Sequence, residues 1–141
     1  MRLIIVDANI LFSFFKPDSY TRELFKALYL KGAKYLIPEY GLDELFSLKH
    51  KICKFCGIGN LEFTVSFALL CELITVIPRE NFKRFEAKAL KLLPTHPKDM
   101  PYFALALSSG CGIWSNEKRF KEQSEVPIFS TEYIKKLFGI E

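Results

Sequence analysis

Four carboxylate side chains, far apart in the sequence, each lie beyond the end of a predicted strand. They are Asp7, Glu44, Asp99 and Glu117. Four carboxylates brought together without a cation repel one another and raise one another's pKa. Ligand sets made of oxygen alone suit the hard cations Mg²⁺ and Mn²⁺, which keep several waters and also bind phosphate oxygens. If the fold gathers these side chains, the chemistry they predict is that of a divalent metal site.

Asp7 ends the first predicted strand. Residues 3–6 are a continuous apolar run, partly β-branched and too short for a helix, which is typical of a strand buried on both faces of a parallel sheet. An aspartate at the end of such a strand lies at the carboxyl edge of the sheet, where open α/β sheets place their ligands. The alternative is that Asp7 only caps the next helix, but the recurrence of acids in similar positions favours a role in a site.

Strands and helices alternate along the rest of the chain. The other predicted strands are 34–37, 74–77, 112–115 and 127–129. The predicted helices are 10–15 (or a turn), 18 or 19 to 31, 39–54, 60–73, 82–92, 99–109, a short one from 117, and 130 or 131 to 138. The sequence therefore predicts an α/β fold, a single domain over residues 1–141 built as an α/β/α sandwich with a parallel central sheet of about five strands.

The four acids share one position relative to this sheet. Glu44 lies on the first turns of the helix after the second strand, Asp99 opens the helix that follows the third strand and its excursion, and Glu117 directly follows the fourth strand. Since the carboxyl ends of parallel strands lie on one edge, all four acids can meet there. One or two divalent ions at such a site can activate a water and neutralise charge on a phosphodiester. The predicted reaction is hydrolysis of a nucleic-acid backbone.

The composition is that of a globular chain that can build a core. The 141 residues are 50% hydrophobic and 26% charged, with a formal net charge of +4. The basic residues are spread along the chain, which permits a polyanionic partner without requiring one. No apolar run reaches the roughly 18 residues of a membrane span, and the chain starts directly on a strand instead of a signal segment. We therefore expect a cytoplasmic protein with no membrane partner.

The four cysteines leave a second kind of site open. Cys53 and Cys56 form a C-x-x-C pair three residues after His50, a spacing that could belong to a structural zinc site or a redox pair. No second C-x-x-C pair follows, and Cys71 and Cys111 lie in apolar runs where a thiol is usually a small buried hydrophobe. We expect reduced thiols, with zinc as the alternative.

Two blocks of the sequence carry a resemblance to a known family. The first is 5–9 (IVDAN), and the second is 99–107 (DMPYFALAL) with 112–120 (GIWSNEKRF). The second block is an acid, an alanine-containing helix, a short strand and a polar-acid segment that ends in phenylalanine. In these blocks the chain resembles the PIN-domain family of metal-dependent ribonucleases, which includes the toxins of VapBC-type toxin and antitoxin pairs. The resemblance covers essentially the whole chain.

The resemblance implies roles for individual residues. Carried over onto this sequence, Asp7, Glu44 and Asp99 are the three principal metal ligands, with Mg²⁺ or Mn²⁺ as the cofactor. Asn9 matches a polar position near the first acid, where it could hold that acid or a metal-bound water.

The fourth acid departs from the family pattern, since the family commonly has aspartate where this chain has Glu117. Its longer side chain can still bind a metal or its water shell, and Ser115 and Asn116 can support it as nearby polar groups. This departure affects the prediction of a second metal ion more than the prediction of the first. Lys118 and Arg119, beside Glu117, could track phosphates, although such side chains are usually only solvated.

The resemblance also implies a function: an endoribonuclease that hydrolyses RNA phosphodiester bonds, with a toxin role, an antitoxin partner and a homodimeric assembly as further expectations. One alternative is a PIN-fold interaction or RNA-binding module with a weakened catalytic site. Another is a haloacid-dehalogenase-like phosphatase, which also begins with a strand ending in aspartate. That enzyme needs a second aspartate two residues later, where this chain has Asn9.

Overall fold

Five parallel strands form one sheet at the centre of the molecule. The computed structural model describes residues 2–140. The strands are β1 (Arg2–Val6), β2 (Ala33–Pro38), β3 (Ile74–Ile77), β4 (Ile113–Trp114) and β5 (Ile128–Phe129). Their order across the sheet is β3-β2-β1-β4-β5, with every neighbouring pair parallel. β1 is therefore the central strand, and its carboxyl end lies between those of β2 and β4.

Helices connect these strands on both sides of the sheet. The α-helices are α1 (Ala8–Phe14), α2 (Tyr20–Leu30), α3 (Glu39–Ser47), α4 (Lys49–Cys56), α5 (Asn60–Leu73), α6 (Glu86–Leu92), α7 (Met100–Ser109) and α8 (Thr131–Leu137). Short 3₁₀ helices cover Arg79–Asn81, Lys83–Phe85, Pro97–Asp99 and Lys118–Glu122.

β1 is apolar on both faces because both faces are covered. Ile4 and Val6 point into a core cluster with the buried side chains of α1 to α5 and α8. Ile5 points the other way, into a second cluster built mainly by α6 and α7. All three side chains are at most 2% exposed. Alternate residues of a strand face opposite layers, so this burial confirms the predicted α/β/α sandwich.

Stacked aromatic rings support the sheet beneath its carboxyl edge. The rings of Phe25 and Tyr35 stack with centroids 3.9 Å apart, and Trp114 stacks on Phe25 at 5.9 Å. The polar ends of these buried rings are bonded: the Tyr35 hydroxyl donates to the Phe25 carbonyl, and the Trp114 indole N–H donates to Thr131 Oγ1. Satisfied polar ends allow large rings to be buried in fixed positions, and Trp114 directly precedes the segment that carries Glu117.

Two predicted helices were wrong in extent. The predicted helix 39–54 is two helices, because the chain leaves helical geometry at Leu48. The Ser47 hydroxyl donates to the Glu44 carbonyl at 2.9 Å, a local bond that competes with continued helix formation. In the predicted helix 82–92, α-helical geometry begins only at Glu86, after a 3₁₀ turn over Lys83–Phe85. The apolar spacing runs through both breaks, so periodicity gave no sign of them.

The four cysteines are free thiols in the structure. Cys53 and Cys56 are half-buried and pack against the core cluster that contains Ile4 and Val6. Among the described helices, none alone has the length and hydropathy to span a bilayer; α4 and α5 reach both only together, with a bend of 107° between them.

Candidate active site

Asp7 is fixed by the junction of β1 and α1. It is the N-cap of α1, where its Oδ1 accepts a hydrogen bond from the backbone N–H of Ile10 at 2.9 Å. Its own backbone N–H donates to the Trp114 carbonyl at 3.2 Å, which joins the carboxyl ends of β1 and β4. The side chain is only 3% exposed. Asp7 therefore caps α1, as the alternative interpretation expected. It also lies at the carboxyl edge of the sheet, as predicted.

Burial raises the pKa of Asp7 to about 6. A hydrogen bond with Ser115 and the one from Ile10 lower the pKa, while the negative charges of Asp99 and Glu117 raise it. Removal from water disfavours the charged form of a carboxylate, and neighbouring negative charges add to that effect. Ser115 bonds to the Asp7 side chain and accepts from the Glu117 backbone N–H, so Asp7 and Glu117 lie at the same edge of the sheet.

A single arginine bridges two of the acids. Arg119 Nη2 donates to Asp99 Oδ2 at 3.0 Å, and Arg119 Nη1 forms an ion pair with Glu117 Oε1 at 3.0 Å. The second oxygen of Glu117, Oε2, accepts a hydrogen bond from Asn9 Nδ2 at 3.2 Å. The sequence placed Arg119 only beside Glu117 in the chain, whereas the structure places its guanidinium among the acids.

The two other predicted supporting residues lie in different places. Ser115 is buried, interacts with Asp7, and accepts a hydrogen bond from the Glu117 backbone N–H at 3.0 Å. Asn116 instead bonds to the start of α8: its Nδ2 donates to Thr131 Oγ1 and its Oδ1 accepts from the Thr131 backbone N–H, each at 2.9 Å. The structure therefore gives Asn116 a role in holding α8 and does not place it against the acids.

Glu44 borders the same site from the side of β2. Its Oε2 accepts a hydrogen bond from the Tyr40 hydroxyl at 3.3 Å, one turn earlier on α3. A cleft of about 390 Å³, which we call the acid cleft, is lined by Ala8, Glu44, Thr95, His96, Pro97, Lys98, Asp99, Tyr102 and Arg119. Glu44 and Asp99 thus line one cleft, and Ala8, the residue after the buried Asp7, lines it as well.

Tyr102 is a polar side chain in this site that the sequence analysis missed. It is 2% exposed, and its hydroxyl has no hydrogen-bond partner among the described residues. Burial raises its pKa well above the usual range, and the charges of Glu44, Asp7 and Asp99 raise it further. The high pKa keeps this hydroxyl protonated, so it is an unpaired hydrogen-bond donor beside three carboxylates. Its position three residues after Asp99, on the same helical face, was the available signal.

Gly41 makes room for the Tyr102 hydroxyl. A Cβ added at Gly41 would lie 2.7 Å from the Tyr102 oxygen and 3.1 Å from Ile37 Cγ2. Since real Cβ atoms do not approach that closely, a side chain at this position would push the tyrosine out of place. Gly41 therefore lies at the point of α3 where the Tyr102 hydroxyl of α7 packs against the helix.

The donors suit a divalent cation, although they do not now converge on one point. Within residues 2–140, no three Asp, Glu, His or Cys side chains lie close enough together, as they stand, to hold a metal ion. The available donors at the acid cleft are carboxylate oxygens, the type that Mg²⁺ and Mn²⁺ prefer. The guanidinium of Arg119 already stands as a cation between Asp99 and Glu117. The donor chemistry thus fits such an ion.

Asp7→Asn is expected to stabilise the metal-free protein above pH 6. Because the folded pKa of Asp7 is about 6 and its unfolded value 3.8, the folded state binds the proton more tightly, and stability falls as the pH rises between these values. A shift of about two pKa units corresponds to roughly 3 kcal/mol. Asparagine keeps the N-cap without ionising. Urea unfolding in EDTA should show the variant more stable than wild type by roughly 1–3 kcal/mol at pH 8, and by under about 1 kcal/mol at pH 4.5. The same difference in stability between variant and wild type at pH 8 and at pH 4.5 would contradict the raised pKa of Asp7.

Gly41→Ala and Tyr102→Phe are expected to be coupled. Gly41→Ala alone should destabilise the protein by roughly 1–3 kcal/mol, because its Cβ overlaps the tyrosine oxygen. Tyr102→Phe alone should change stability by less than about 1 kcal/mol, because the hydroxyl it removes is unpaired. Gly41→Ala should lower the free energy of unfolding by at least about 1 kcal/mol less when it is introduced into Tyr102→Phe than when it is introduced into wild type. A double-mutant cycle by urea unfolding measures this, and additivity within about 0.3 kcal/mol would mean that the two side chains do not meet.

Comparisons with known proteins agree with this fold and these elements. The family model described as PIN domain matches residues 5–135. A search of the curated proteins found no significant match. A similar solved structure is VapBC2 from Rickettsia felis bound to a DNA fragment from their promoter, with a TM-score of 0.69 and 12% sequence identity, covering 91% of this chain and 98% of that chain. At this identity the structural similarity concerns the fold alone.

The family match includes all four acids, from Asp7 at the end of β1 to Glu117 after β4. The chain therefore belongs to the PIN-domain family, whose members are generally nucleases.

Proposed function

We propose that this protein is a metal-dependent endoribonuclease that hydrolyses RNA phosphodiester bonds. The observation that supports the proposal is that Asp99 and Glu117 share Arg119 beside a cleft that Asp99 and Glu44 line, at the sheet edge where Asp7 ends β1. A buried carboxylate held beside other carboxylates is unfavourable unless a cation offsets the repulsion. A buried carboxylate with a raised pKa, such as Asp7, is characteristic of functional sites.

Asp7, Glu44 and Asp99 are the residues that would hold Mg²⁺ or Mn²⁺. Such an ion, when bound, supplies activation of a water and neutralisation of charge on the phosphodiester. Asp7 is fixed as the cap of α1, so its carboxylate requires little ordering on binding. Asp99 has its Oδ2 paired with Arg119, and Glu44 has its Oε2 paired with Tyr40. The other carboxylate oxygen of each of these two acids is therefore available to a metal ion.

Other side chains of the acid cleft would bind and orient the RNA. Lys98 and Arg119 line the cleft beside the acids and can contact phosphate oxygens. The buried, unpaired Tyr102 hydroxyl adds a hydrogen-bond donor behind these acids. A cleft that holds both acids and cations suits a polyanion whose scissile phosphate must approach the carboxylates.

A second candidate is a PIN-fold module that binds RNA without cutting it. The observation that favours it is the pairing of Arg119 with both Asp99 and Glu117, which neutralises carboxylates that an enzyme needs for its metal. The two candidates differ in one respect, namely whether a divalent ion and Asp99 are required for a chemical step.

Cleavage of single-stranded RNA should require both Mn²⁺ and the Asp99 carboxylate. We expect cleavage by wild type in Mn²⁺ and none in EDTA. Asp99→Asn should lower the rate at least about 100-fold, because it removes charge from the metal ligand set. The matched control is Asp43→Asn, an exposed acid of α3 whose loss should leave the rate within about twofold.

Equal cleavage in Mn²⁺, in EDTA and with Asp99→Asn would remove the metal mechanism. Binding of RNA without any cleavage in Mn²⁺ would favour the second candidate.

An antitoxin protein is the proposed partner, and a toxin of a toxin–antitoxin pair the proposed role. The support is that the similar solved structure is a VapBC2 complex. A small protein encoded beside this chain that binds it and inhibits RNA cleavage would be that partner. The proposed location is the cytoplasm, as predicted from the sequence.

A homodimer is the proposed assembly. The helices α3, α4 and α5 expose large apolar side chains, of which Phe55 is 80% and Leu61 75% exposed. Exposed apolar surface of this kind is characteristic of protein interfaces.

Phe55→Asp is expected to convert a dimer to a monomer, because it places a charge in an apolar contact surface. Light scattering coupled to size exclusion should give twice the chain mass of 16.3 kDa for wild type and the chain mass for the variant. The matched control is Leu90→Asp on α6, on the other side of the sheet, which should stay dimeric. A monomeric wild type at about 100 μM, well above the Kd of a stable dimer, would contradict the proposed assembly.

A further inference from the structure

Arg119 occupies a cation's position inside the acid cleft. Its two terminal nitrogens reach carboxylates from two separate segments, Asp99 before α7 and Glu117 after β4, each at 3.0 Å. The arginine side chain is 37% exposed, against 18% for Asp99 and 28% for Glu117. The guanidinium is therefore partly withdrawn from water, with open space on the side of the cleft that it lines.

Glu117 is arranged to hold this arginine. Its Oε1 forms an ion pair with Arg119 and its Oε2 accepts a hydrogen bond from Asn9, so both oxygens have a partner. Its backbone N–H donates to the buried Ser115, which fixes the start of the segment. Asp99, by contrast, uses Oδ2 for Arg119 and has Oδ1 in no hydrogen bond among the described residues. The two acids that share the arginine thus differ, because only Asp99 has an oxygen left for another ligand.

The backbone fixes Arg119 independently of these ion pairs. The next residue, Phe120, is 2% exposed and packs edge-on against Phe103 of α7, with ring centroids 5.0 Å apart. Arg119 Nε is buried and has no hydrogen-bond partner among the described residues. Buried side-chain donors are normally hydrogen-bonded. The arginine is held at the acids even though one of its donors is left unpaired there.

A divalent ion placed between Asp99 and Glu117 would have to displace this guanidinium. Arginine cannot lose its proton in a protein, so it stays charged and repels a second cation. The planar guanidinium also matches phosphate oxygens in a paired geometry, which makes it a suitable replacement for a metal ion at a phosphoryl group.

We infer that this site takes one divalent ion, held by Asp7, Glu44 and Asp99. Arg119, held by Glu117, which Asn9 in turn fixes, is its second cation and contacts the scissile phosphate. The inference rests on the proposed function and makes it more specific. Glu117 is then a positioning residue for Arg119 and is not a metal ligand.

The stoichiometry of Mn²⁺ binding to the full chain, measured without RNA by equilibrium dialysis, tests this assignment. Wild type should bind one ion. Arg119→Gln should bind two, because the position between Asp99 and Glu117 becomes available, whereas Arg119→Lys keeps a cation there and should bind one. Glu117→Gln should bind one ion with a Kd within about tenfold of wild type, and Asp99→Asn should lose at least about 100-fold in affinity. Thermal unfolding checks that each variant is folded.

The outcomes separate this inference from the proposed function. Two ions on wild type, or one ion on both wild type and Arg119→Gln, would overturn the role of Arg119 while leaving a metal-dependent nuclease intact. No ion on wild type at millimolar Mn²⁺ would overturn both. A loss of affinity in Glu117→Gln as large as in Asp99→Asn would make Glu117 a metal ligand, against the assignment.

Discussion

The structure depends on keeping one ionisable carboxylate, Asp7, out of water and beside other acids. Its pKa of about 6 reflects that burial and the nearby charges of Asp99 and Glu117. Ionisation there is unfavourable unless hydrogen bonds and cations offset it. The surroundings supply them in part: a backbone N–H, the Ser115 hydroxyl and, across Asp99 and Glu117, the guanidinium of Arg119. The remaining repulsion between the carboxylates is the reason to expect a divalent ion.

The fold achieves this placement with few elements. β1 is the central strand of a parallel sheet and is apolar on both faces, so its last residue emerges in the middle of the carboxyl edge. The hydrogen bond from the Asp7 backbone N–H to the Trp114 carbonyl joins β1 to β4, which brings the segment of Glu117 alongside. The start of α7 adds Asp99, and α3 adds Glu44 from the side of β2. Acids distant in sequence meet because parallel strands end together.

Much of this arrangement could be predicted from the sequence, because it follows from local patterns. The buried run before Asp7 and the alternation of strands and helices were sufficient for the sandwich and for the edge at which the acids lie. The break at Leu48 was missed because it depends on a hydroxyl-to-carbonyl bond of Ser47, while the apolar spacing continues through it. Asn116 was placed near the acids by its sequence neighbours, but its side chain bonds to Thr131.

Contacts between distant segments were beyond the reach of sequence patterns. Nothing in the run from Ser115 to Phe120 distinguishes Arg119 from Lys118, and only the direction of the chain at the 3₁₀ helix Lys118–Glu122 turns the arginine toward Asp99. The fit of the Tyr102 hydroxyl over Gly41 likewise joins α7 to α3. Both features are contacts between side chains inside the site, whereas the sequence patterns predicted only the position of the site at the edge of the sheet.

The central claim is that Asp7, Glu44 and Asp99 form one pocket for a divalent cation. The most direct measurement is an anomalous difference map from a crystal grown in millimolar Mn²⁺. A manganese peak in contact with carboxylate oxygens of these three residues is the expected result. A well-ordered site without such a peak, or with manganese bound only away from the acid cleft, would contradict it.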